Sequence, residues 1–391
     1  MSGIYFHIPF CKQACHYCNF HFSTSLKQKD EMIDAMVNEI KTPSQPPPVG
    51  EEKEMETIYF GGGTPSLLNA EEIKKLLTAV YQKYNVDGDA EITLEANPDD
   101  ITAIKLAEWK SVGINRLSIG IQSFNQEDLE WMNRVHNAEQ ALHCIELVKS
   151  AGFQNYSVDF IYGTPTLSDD DWKKNIQTII DLDVPHISCY ALTVESNTVL
   201  QKMITLKKKE EVDPEKQASQ FLLLMGWLQD AGYEHYEISN FAKPGYKSKH
   251  NSRYWQHKTY IGIGPSAHSF DGNARRWNVS NNALYIQSLQ KNNIPYEEER
   301  LSEVQKLNEY IMTSLRTIEG IDLDFIEKIF GGEKKIKLQA ASIKYIQNHK
   351  LLPIAIGTTN NKLVLTNEGK LFADGIAADL FFEETFISSS L

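Results

Sequence analysis

The chain contains 391 residues, of which 41% are apolar and 23% are charged, and this composition excludes intrinsic disorder. The formal net charge of −13 disfavours nucleic acid as a partner, because a phosphate backbone would need a local basic patch that the composition does not suggest. The length exceeds one average domain and fits a barrel-like unit followed by a smaller second unit.

The start of the chain does not resemble an export signal. Residues 4–10 follow Met1 closely and lack the basic start, long apolar run and small-residue cleavage site of a secretory signal. The most apolar later stretch, residues 221–228, is far shorter than the roughly 20 residues that span a bilayer, so it predicts a buried helix. We therefore expect a cytoplasmic protein without a transmembrane segment, and peripheral contact with a membrane stays open.

Short β-rich runs alternate with helical segments through the first half of the chain, which predicts parallel βα units. Six units are too few for a complete eight-stranded barrel, so a partial, laterally open barrel and a doubly wound sheet both fit the pattern. The predicted strands cover residues 4–10, 57–60, 91–96, 116–121, 156–161 and 186–192, and the predicted helices cover residues 70–84, 101–111, 138–151 and 169–182.

The remaining segments predict a loop, a long helix and a second domain. Residues 41–50 are rich in proline and predict a surface loop, whereas residues 213–232 predict a long amphipathic helix that begins at Asp-Pro and ends at glycine. From residue 302 the pattern predicts three helices and a hairpin, which resembles a winged-helix module. Residues 301–391 carry 12 acidic and 10 basic side chains, which favours a lid or partner-docking role over DNA binding. We expect domains at residues 1–293 and 294–391.

Three thiols near the start of the chain carry the most specific chemical signal. Cys11, Cys15 and Cys18 are spaced by four and three residues, directly after the first predicted strand. Thiolates are the natural ligands of iron–sulfur clusters, and a cubane cluster held by three cysteines leaves its fourth iron open to a substrate. The motif therefore predicts a [4Fe–4S] cluster. Cys144 and Cys189 stand alone in apolar patterns and are predicted core residues.

Other interpretations of these thiols stay open at this point. The crowding of three cysteines in a chain without export signals favours metal thiolates over disulfides. A redox pair is one of these interpretations, and a zinc site is the other. Four-coordinate zinc would need a fourth ligand, for which His7, His16 and His21 are the nearby candidates.

The arrangement Cys-x3-Cys-x2-Cys resembles the radical S-adenosylmethionine (SAM) superfamily, in which the open iron binds the amino and carboxylate groups of SAM. Further motifs resemble the subgroup that contains oxygen-independent coproporphyrinogen III oxidase and the HemW-type haem chaperones. The resemblance implies an α/β fold with a partial (β/α)6 TIM-like barrel, to which the pattern adds a C-terminal winged-helix-like domain. The motifs lie at residues 5–11, 61–65 (Gly-Gly-Gly-Thr-Pro), 94–98 (Leu-Glu-Ala-Asn-Pro), 120–124 (Gly-Ile-Gln-Ser-Phe), 132–134 and 159–163.

Several motif residues also carry chemistry suited to SAM. A run of glycines after a strand lets backbone groups approach a ligand, and carboxylate and amide side chains at strand ends can bind ribose hydroxyls and an amino group. Arg134 can pair with a carboxylate. The resemblance implies SAM contacts at Tyr5, Tyr17, Gly62, Gly63, Thr64, Glu95, Gln122, Arg134, Asp159 and Ala191.

Two departures distinguish the members of this subgroup. The oxidase carries a fourth cysteine two residues after the third, whereas this chain has Phe20 there, as the HemW-type pattern does. The oxidase also carries an N-terminal extension that helps to enclose its substrate, whereas ten residues precede Cys11 here. Both departures disfavour decarboxylation of coproporphyrinogen III.

A further motif at residues 250–255, His-Asn-Ser-Arg-Tyr-Trp, matches the His-Asn-x-x-Tyr-Trp pattern of HemW-type proteins, in which the histidine is implicated in holding haem. Imidazole is a common axial ligand of haem iron, and Tyr254 and Trp255 could offer flat apolar faces to the macrocycle. A buried aromatic pair beside a hydrogen-bonded histidine would give the same sequence pattern. The resemblance implies haem at His250.

The expected function follows from the resemblance: a haem chaperone that holds a [4Fe–4S] cluster and SAM and carries haem to acceptor haemoproteins. An electron donor such as flavodoxin or ferredoxin is expected only if SAM is cleaved. The alternatives are an oxygen-independent coproporphyrinogen III oxidase and, in another class, a radical SAM enzyme that modifies RNA, which the acidic charge disfavours. The sequence assigns no catalytic residue and leaves both a monomer and a dimer open.

Overall fold

The structure is a computed structural model that describes residues 2–42, 54–356 and 359–384. The chain divides into two compact units, the first formed by Met1–Glu234, Ser239–Arg253 and Lys258–Glu299. The second unit is formed by His235–Ile238, Tyr254–His257 and Arg300–Leu391. Most of the predicted proline-rich loop and the centre of the predicted hairpin turn lie outside the described residues. The domain boundary at residues 293 and 294 stays a prediction.

Six parallel strands form the centre of the first unit. They are β1 (Ser2–Ile8), β2 (Met55–Gly62), β3 (Val86–Ala96), β4 (Arg116–Gln122), β5 (Tyr156–Tyr162) and β6 (His186–Ala191). Each strand pairs in parallel with the next one along the chain. A doubly wound sheet reverses its strand order at a switch point, whereas right-handed βα units that add on one side wind a barrel. This order therefore favours the partial barrel over the doubly wound sheet.

Shorter strands extend this parallel sheet. In the first unit they are β8 (Asn240–Ala242), β9 (Tyr260–Ile263), β10 (His268–Phe270), β11 (Ala274–Asn278) and β12 (Tyr296–Arg300), whereas β7 (Glu234–Glu237) belongs mostly to the second unit. Strand β9 pairs in parallel with β1, and β8 pairs in antiparallel fashion with β6. In the described part of the first unit the order runs β12-β11-β10-β9-β1-β2-β3-β4-β5-β6-β8 and does not close on itself, so the barrel is laterally open.

Helices connect the strands, and polar side chains cap the starts of several of them. The helices are α1 (Lys29–Lys41), α2 (Ala70–Lys83), α3 (Ala103–Ser111), α4 (Gln126–Trp131), α5 (Ala138–Ser150), α6 (Asp169–Asp181), α7 (Val199–Thr205), α8 (Pro214–Asp230), α9 (Lys249–Trp255) and α10 (Asn282–Leu289). Asn69 and Asn137 form capping boxes with Glu72 and Gln140. The four predicted helices of the barrel correspond to α2, α3, α5 and α6. Among the described residues no helix is both long and apolar enough to cross a membrane.

The two faces of the parallel sheet differ in polarity. Ile58, Leu94 and Val158 lie on one face and are fully buried together with the helix side chains Trp109 and Trp172. Because side chains alternate along a strand, the residues between them point to the other face, which is the interior of the barrel. These interior residues are buried but polar, and they include Thr57, Glu91, Thr93, Arg116, Ser118, Ser157, His186 and Ser188. Buried polar groups need partners, so this interior is the place where a polar ligand is most easily accommodated.

The second unit contains helices and a small antiparallel sheet. Its elements from Arg300 onward are α11 (Glu303–Leu315), β13 (Ile321–Asp322), α12 (Leu323–Phe330), α13 (Gly332–Gln347), β14 (Leu351–Ile356), β15 (Thr359–Leu365), α14 (Asn367–Lys370) and α15 (Ala373–Asp379). The sheet order is β13-β15-β14. Leu307, Ile311, Leu338 and Ile376 share an apolar core in this unit. Three helices followed by a hairpin match the predicted winged-helix-like arrangement.

Candidate functional site

A cavity of about 560 Å³ lies in the first unit, at the ends where the parallel strands finish. Gly62, Ala96, Gln122 and Ala191 line it, and these residues end β2, β3, β4 and β6. The loop that follows β1 contributes the three cysteines of the motif. The carboxyl ends of parallel strands are where barrel proteins assemble their sites, so this cavity is the candidate site.

The three cysteines line one part of the cavity, and all three side chains are partly exposed. Burial raises the pKa of Cys11 to about 11, although a hydrogen bond with Thr64 opposes the shift. Burial also raises the pKa of Cys18. Binding of iron would therefore have to displace thiol protons, as is general for metal thiolates. Arg134 Nη1 donates to Cys15 Sγ at 3.3 Å, so a cation already lies next to this sulfur.

The histidines that could complete a zinc site are engaged in hydrogen bonds. His7 Nε2 lies 2.8 Å from the carbonyl oxygen of His21, and His21 Nε2 lies 2.8 Å from Asn282 Oδ1. His16 Nδ1 lies 3.3 Å from the carbonyl oxygen of Trp131. Within the described ranges no three His, Cys, Asp or Glu side chains converge on a single metal ion. A cubane cluster spreads its thiolates over different irons, so this donor set fits a cluster without converging on one point.

The glycine run is required by packing as well as by any ligand. Gly62 has a φ of +106°, and a Cβ there would lie 2.7 Å from His7 Nδ1. A Cβ on Gly63 would lie 2.6 Å from the carbonyl oxygen of Phe10, and the Gly63 N–H donates to the carbonyl oxygen of Ile8 at 2.8 Å. These glycines therefore let β2 pack closely against the start of the cysteine loop. Close backbone approach to a ligand is a second consequence of the same geometry.

Two half-buried carboxyl groups, those of Glu95 and Asp159, face the cavity from β3 and β5. Burial raises the pKa of Glu95 to about 7, with repulsion from Asp159 adding to the shift and a hydrogen bond from Tyr59 opposing it. Burial raises the pKa of Asp159 to about 6. Tyr59 Oη donates to Glu95 Oε1 at 2.8 Å, and Ser118 Oγ donates to Asp159 Oδ2 at 3.1 Å. Desolvated carboxyl groups of this kind favour hydroxyl donors or a cationic group in the same cavity.

A guanidinium group is held in the cavity by hydrogen bonds next to the cysteine loop. Arg134 Nη2 donates to Asn97 Oδ1 at 2.7 Å and to the carbonyl oxygen of Gly120 at 2.9 Å. Its neighbour Asn133 has a φ of +60° and donates from its side chain to the carbonyl oxygen of Ala14 at 2.8 Å. The Met-Asn-Arg motif therefore anchors the cysteine loop and places a positive charge in the cavity next to Cys15.

The structure brings together most of the site residues expected from the sequence. Tyr5 lies behind the cavity wall, with its ring stacked on Tyr59 at a centroid distance of 6.1 Å. Sequence reasoning missed Asn97, Ser118 and Ser188, which also line the cavity. The alternation of polar and apolar residues along β4 and β6 is the signal that could have found the two serines. The expected residues that line the cavity are Cys11, Cys15, Cys18, Tyr17, Gly62, Gly63, Thr64, Glu95, Gln122, Arg134, Asp159 and Ala191.

His250 is not among the residues that line the cavity. Its side chain is buried, with 2% of the residue exposed, and Nδ1 lies 2.9 Å from Thr57 Oγ1. Burial lowers its pKa to about 3, so the ring is neutral in this position. Trp255 belongs to the second unit, where its ring lies 5.1 Å from the Arg316 guanidinium. In this conformation the imidazole is not accessible to a porphyrin.

The Gly-Ile-Gly-Pro motif at residues 262–265 has a structural role at the start of the cysteine loop. Gly264 has a φ of +107°, and a Cβ there would lie 2.5 Å from the carbonyl oxygen of His7. Its N–H donates to the buried carboxylate of Glu39 at 2.9 Å, and Asn278 Nδ2 donates to the same carboxylate at 2.7 Å. The motif therefore fixes β9 closely against the end of β1, directly before the cysteine loop.

Comparison with known proteins agrees with this geometry. Residues 5–179 match the model of the radical SAM superfamily. The structure matches that of coproporphyrinogen III oxidase (HemN) from Escherichia coli with a TM-score of 0.80 at 20% sequence identity, covering 97% of this chain and 89% of that one. This similarity shows the fold, a radical SAM partial barrel of the α/β class.

The sequence is more closely related to another group. It is 33% identical to heme chaperone HemW of Bacillus subtilis over 384 residues, which is 96% of this chain and 98% of that protein. It is 36% identical to heme chaperone HemW of Escherichia coli over 271 residues, which is 68% of this chain and 69% of that protein. The chain therefore belongs to the HemW family within the radical SAM superfamily, whose membership implies a [4Fe–4S] cluster and SAM.

Proposed function

We propose that this chain is a cytoplasmic haem chaperone that holds a [4Fe–4S] cluster through Cys11, Cys15 and Cys18, binds SAM in the adjoining cavity, and passes haem to acceptor haemoproteins. Relatives that align with nearly the whole chain carry the name heme chaperone HemW, which supports haem as the cargo. The observation that carries the cofactor part is a cavity that combines the cysteine loop with two half-buried carboxyl groups and one half-buried guanidinium group.

Acidic and basic side chains of the cavity bind different groups of SAM. When bound, the cluster supplies an open iron for the amino and carboxylate groups of SAM and can supply an electron to its sulfonium group. Glu95 and Asp159 accept hydrogen bonds from ribose hydroxyls or from an amino group, and the positive ligand favours their ionised forms. Arg134 offers guanidinium N–H groups to the SAM carboxylate while staying bonded to Asn97 and Gly120. An electron donor such as flavodoxin or ferredoxin is needed only if SAM is cleaved.

Haem ligation by His250 is a further part of this proposal. Because the ring lies between Thr57 and Tyr59, α9 has to move before the imidazole can reach haem iron. Replacing His250 by Ala should weaken haem binding and alter the Soret band while the cluster spectrum stays intact. Unchanged haem affinity and spectrum in that variant would place the axial ligand elsewhere.

The oxygen-independent oxidase is the second candidate function. The similarity to HemN supports the fold alone, and Phe20 stands where the oxidase carries its fourth cysteine. Phe20 lines the cavity and is 65% exposed. Its phenyl ring cannot supply the thiolate that the oxidase has at this position. An RNA-modifying enzyme stays the least supported candidate, because the net charge of −13 opposes a phosphate backbone.

One experiment tests the proposed function against the oxidase. The anaerobically reconstituted protein is titrated with haem and, in parallel, incubated with coproporphyrinogen III, SAM and a reductant. We expect stoichiometric haem binding and no decarboxylated product by mass spectrometry. Formation of protoporphyrinogen IX without haem binding would replace the chaperone with the oxidase.

A further inference from the structure

The first turn of α9 is attached to the polar interior of the barrel. Glu91 on β3 accepts hydrogen bonds from the backbone N–H groups of Lys249 at 3.1 Å and His250 at 3.0 Å. His250 Nδ1 lies 2.9 Å from Thr57 Oγ1 on β2. Arg253 forms an ion pair with Glu56. Glu56 and Thr57 lie in the amino-terminal half of β2, and Glu91 is the partner of Thr57 in the strand register, so this turn covers the barrel at the end opposite the cysteine loop.

The imidazole of His250 does not line the cavity, but it contacts Tyr59, which does. Its ring stacks on that of Tyr59 at a centroid distance of 4.9 Å and an interplanar angle of 22°. The Tyr59 hydroxyl donates to Glu95 Oε1 at 2.8 Å, and both Tyr59 and Glu95 line the cavity. The orientation of the Glu95 carboxyl group therefore depends on a phenol whose face is covered by His250.

The slot that holds the imidazole is narrow and flat. A Cβ on Gly3 would lie 2.6 Å from Thr57 Oγ1 and 3.3 Å from His250 Nδ1, so β1 approaches the ring edge closely. Tyr5 stacks on the same ring at a centroid distance of 6.5 Å. A planar side chain fits between these neighbours, and a smaller one would leave Tyr59 free to tilt.

The residue after His250 lines the cavity itself. Asn251 is half-buried and is a lining residue of the same cavity as Glu95 and Arg134. Its amide carries two donors and one acceptor oxygen, which suits ribose hydroxyl groups. The turn therefore contributes one side chain directly to the cavity and a second one through Tyr59.

We propose that the first turn of α9 is the floor of the SAM cavity, with Asn251 as a contact residue and His250 as a positioning residue that orients Glu95 through Tyr59. This inference rests on the proposed function, because it takes SAM as the occupant of the cavity. It assigns to the His-Asn pair of the motif a role in the resting conformation that is separate from ligation of haem iron.

The test measures SAM affinity by equilibrium dialysis on anaerobically reconstituted protein. His250→Ala and Tyr59→Phe should each weaken SAM binding by about tenfold, the size of one hydrogen bond to a charged group. The double variant should be no weaker than either single variant, since both changes break the same connection. His250→Phe keeps a flat ring on Tyr59 and cannot bind iron, so its SAM affinity should stay within about twofold of the parent value.

Asn251→Ala should weaken SAM binding by several-fold, about the value of a neutral hydrogen bond. His143→Ala is the matched control, because His143 is an exposed histidine on α5, and it should change nothing. Parental SAM affinity in His250→Ala, or multiplicative losses in the double variant, would overturn this inference alone. If the cluster-loaded parent binds no SAM, the proposed function fails and the inference fails with it.

Discussion

The two ends of the barrel in this protein show how differently a sequence motif can relate to its geometry. At the end where the strands finish, the cysteine loop, the glycine run and two half-buried carboxyl groups line one cavity. At the opposite end, the His250 side chain is buried and its ring stacks on that of Tyr59. A motif within one short loop brings its residues together in almost any fold, whereas the surroundings of a single histidine depend on strands nearly two hundred residues away.

The charge distribution of the two ends differs as well. Glu95 and Asp159 are raised in pKa by burial at the cavity end. Towards the other end, Arg116 Nε lies 3.9 Å from Glu91, and both side chains are almost fully buried. Burial dominates the rise in the pKa of Asp159, and the positive charge of Arg116 offsets part of that rise. The charges at the two ends therefore differ, but they are coupled, because Arg116 affects the pKa of Asp159.

The largest expected effect is the loss of the cluster. Reconstituted parent protein should carry about four irons per chain, with an electron paramagnetic resonance signal that changes when SAM is added. Replacing Cys11, Cys15 or Cys18 by Ala should remove most of the iron and the signal. Cys144→Ala is the control, because this thiol is buried in the helix core and should not affect iron content. If the anaerobically purified protein contained tetrahedral zinc and could not be loaded with iron, the three cysteines would not be the ligands of an iron–sulfur cluster.

The second prediction concerns Glu95 and sharpens the electrostatic part of the comparison. The pKa of Glu95 is 4.5 in the unfolded chain and about 7 in the folded protein, so the folded state binds more protons between these pH values. The free energy of unfolding therefore falls as the pH rises through this range. Glu95→Gln removes this loss. In ligand-free protein the variant should gain up to about 3 kcal/mol relative to the parent between pH 4.5 and pH 8. Denaturant unfolding at both pH values measures the difference, and a gain that does not grow with pH would refute the assignment.

The third prediction compares two glycines of similar backbone conformation. Gly62 and Gly113 have φ values of +106° and +103°, but an added Cβ would clash with His7 at the first and meet only Ile92, at 3.9 Å, at the second. Gly62→Ala should therefore cost about 2 kcal/mol more in the free energy of unfolding than Gly113→Ala. It should also weaken SAM binding, whereas Gly113→Ala should not. If the two variants lost the same free energy of unfolding, backbone strain alone would account for the requirement for glycine at residue 62.

The smallest expected effect is that of Phe20→Cys. Phe20 is largely exposed at the cavity rim, so the free energy of unfolding should change by less than about 0.5 kcal/mol. The variant recreates the extra cysteine of the oxidase pattern, yet it should not decarboxylate coproporphyrinogen III, because one thiol does not supply the rest of a substrate site. Product analysis by mass spectrometry decides this, and a gain of oxidase activity would reduce the distinction between the two families to a single residue.

The sequence by itself determined the elements and the chemistry of the cavity. Strand and helix periodicity predicted β1 to β6 and four of the helices between them, and the motifs predicted many of the residues that line the cavity, although not Asn97, Ser118 or Ser188. This worked because parallel strands bring their carboxyl ends to one edge, so residues such as Gly62, Glu95 and Gln122 lie close together whatever the details of packing.

Only the tertiary structure decided what lies between those elements. The choice between a doubly wound sheet and an open barrel depends on strand order, which hydrophobic periodicity does not encode. The burial of His250 depends on hydrogen bonds and ring contacts with Thr57, Tyr59 and Glu91, which are far away along the chain. Local patterns report which face of a strand is polar, but the partner that approaches this face is selected by packing of the whole chain.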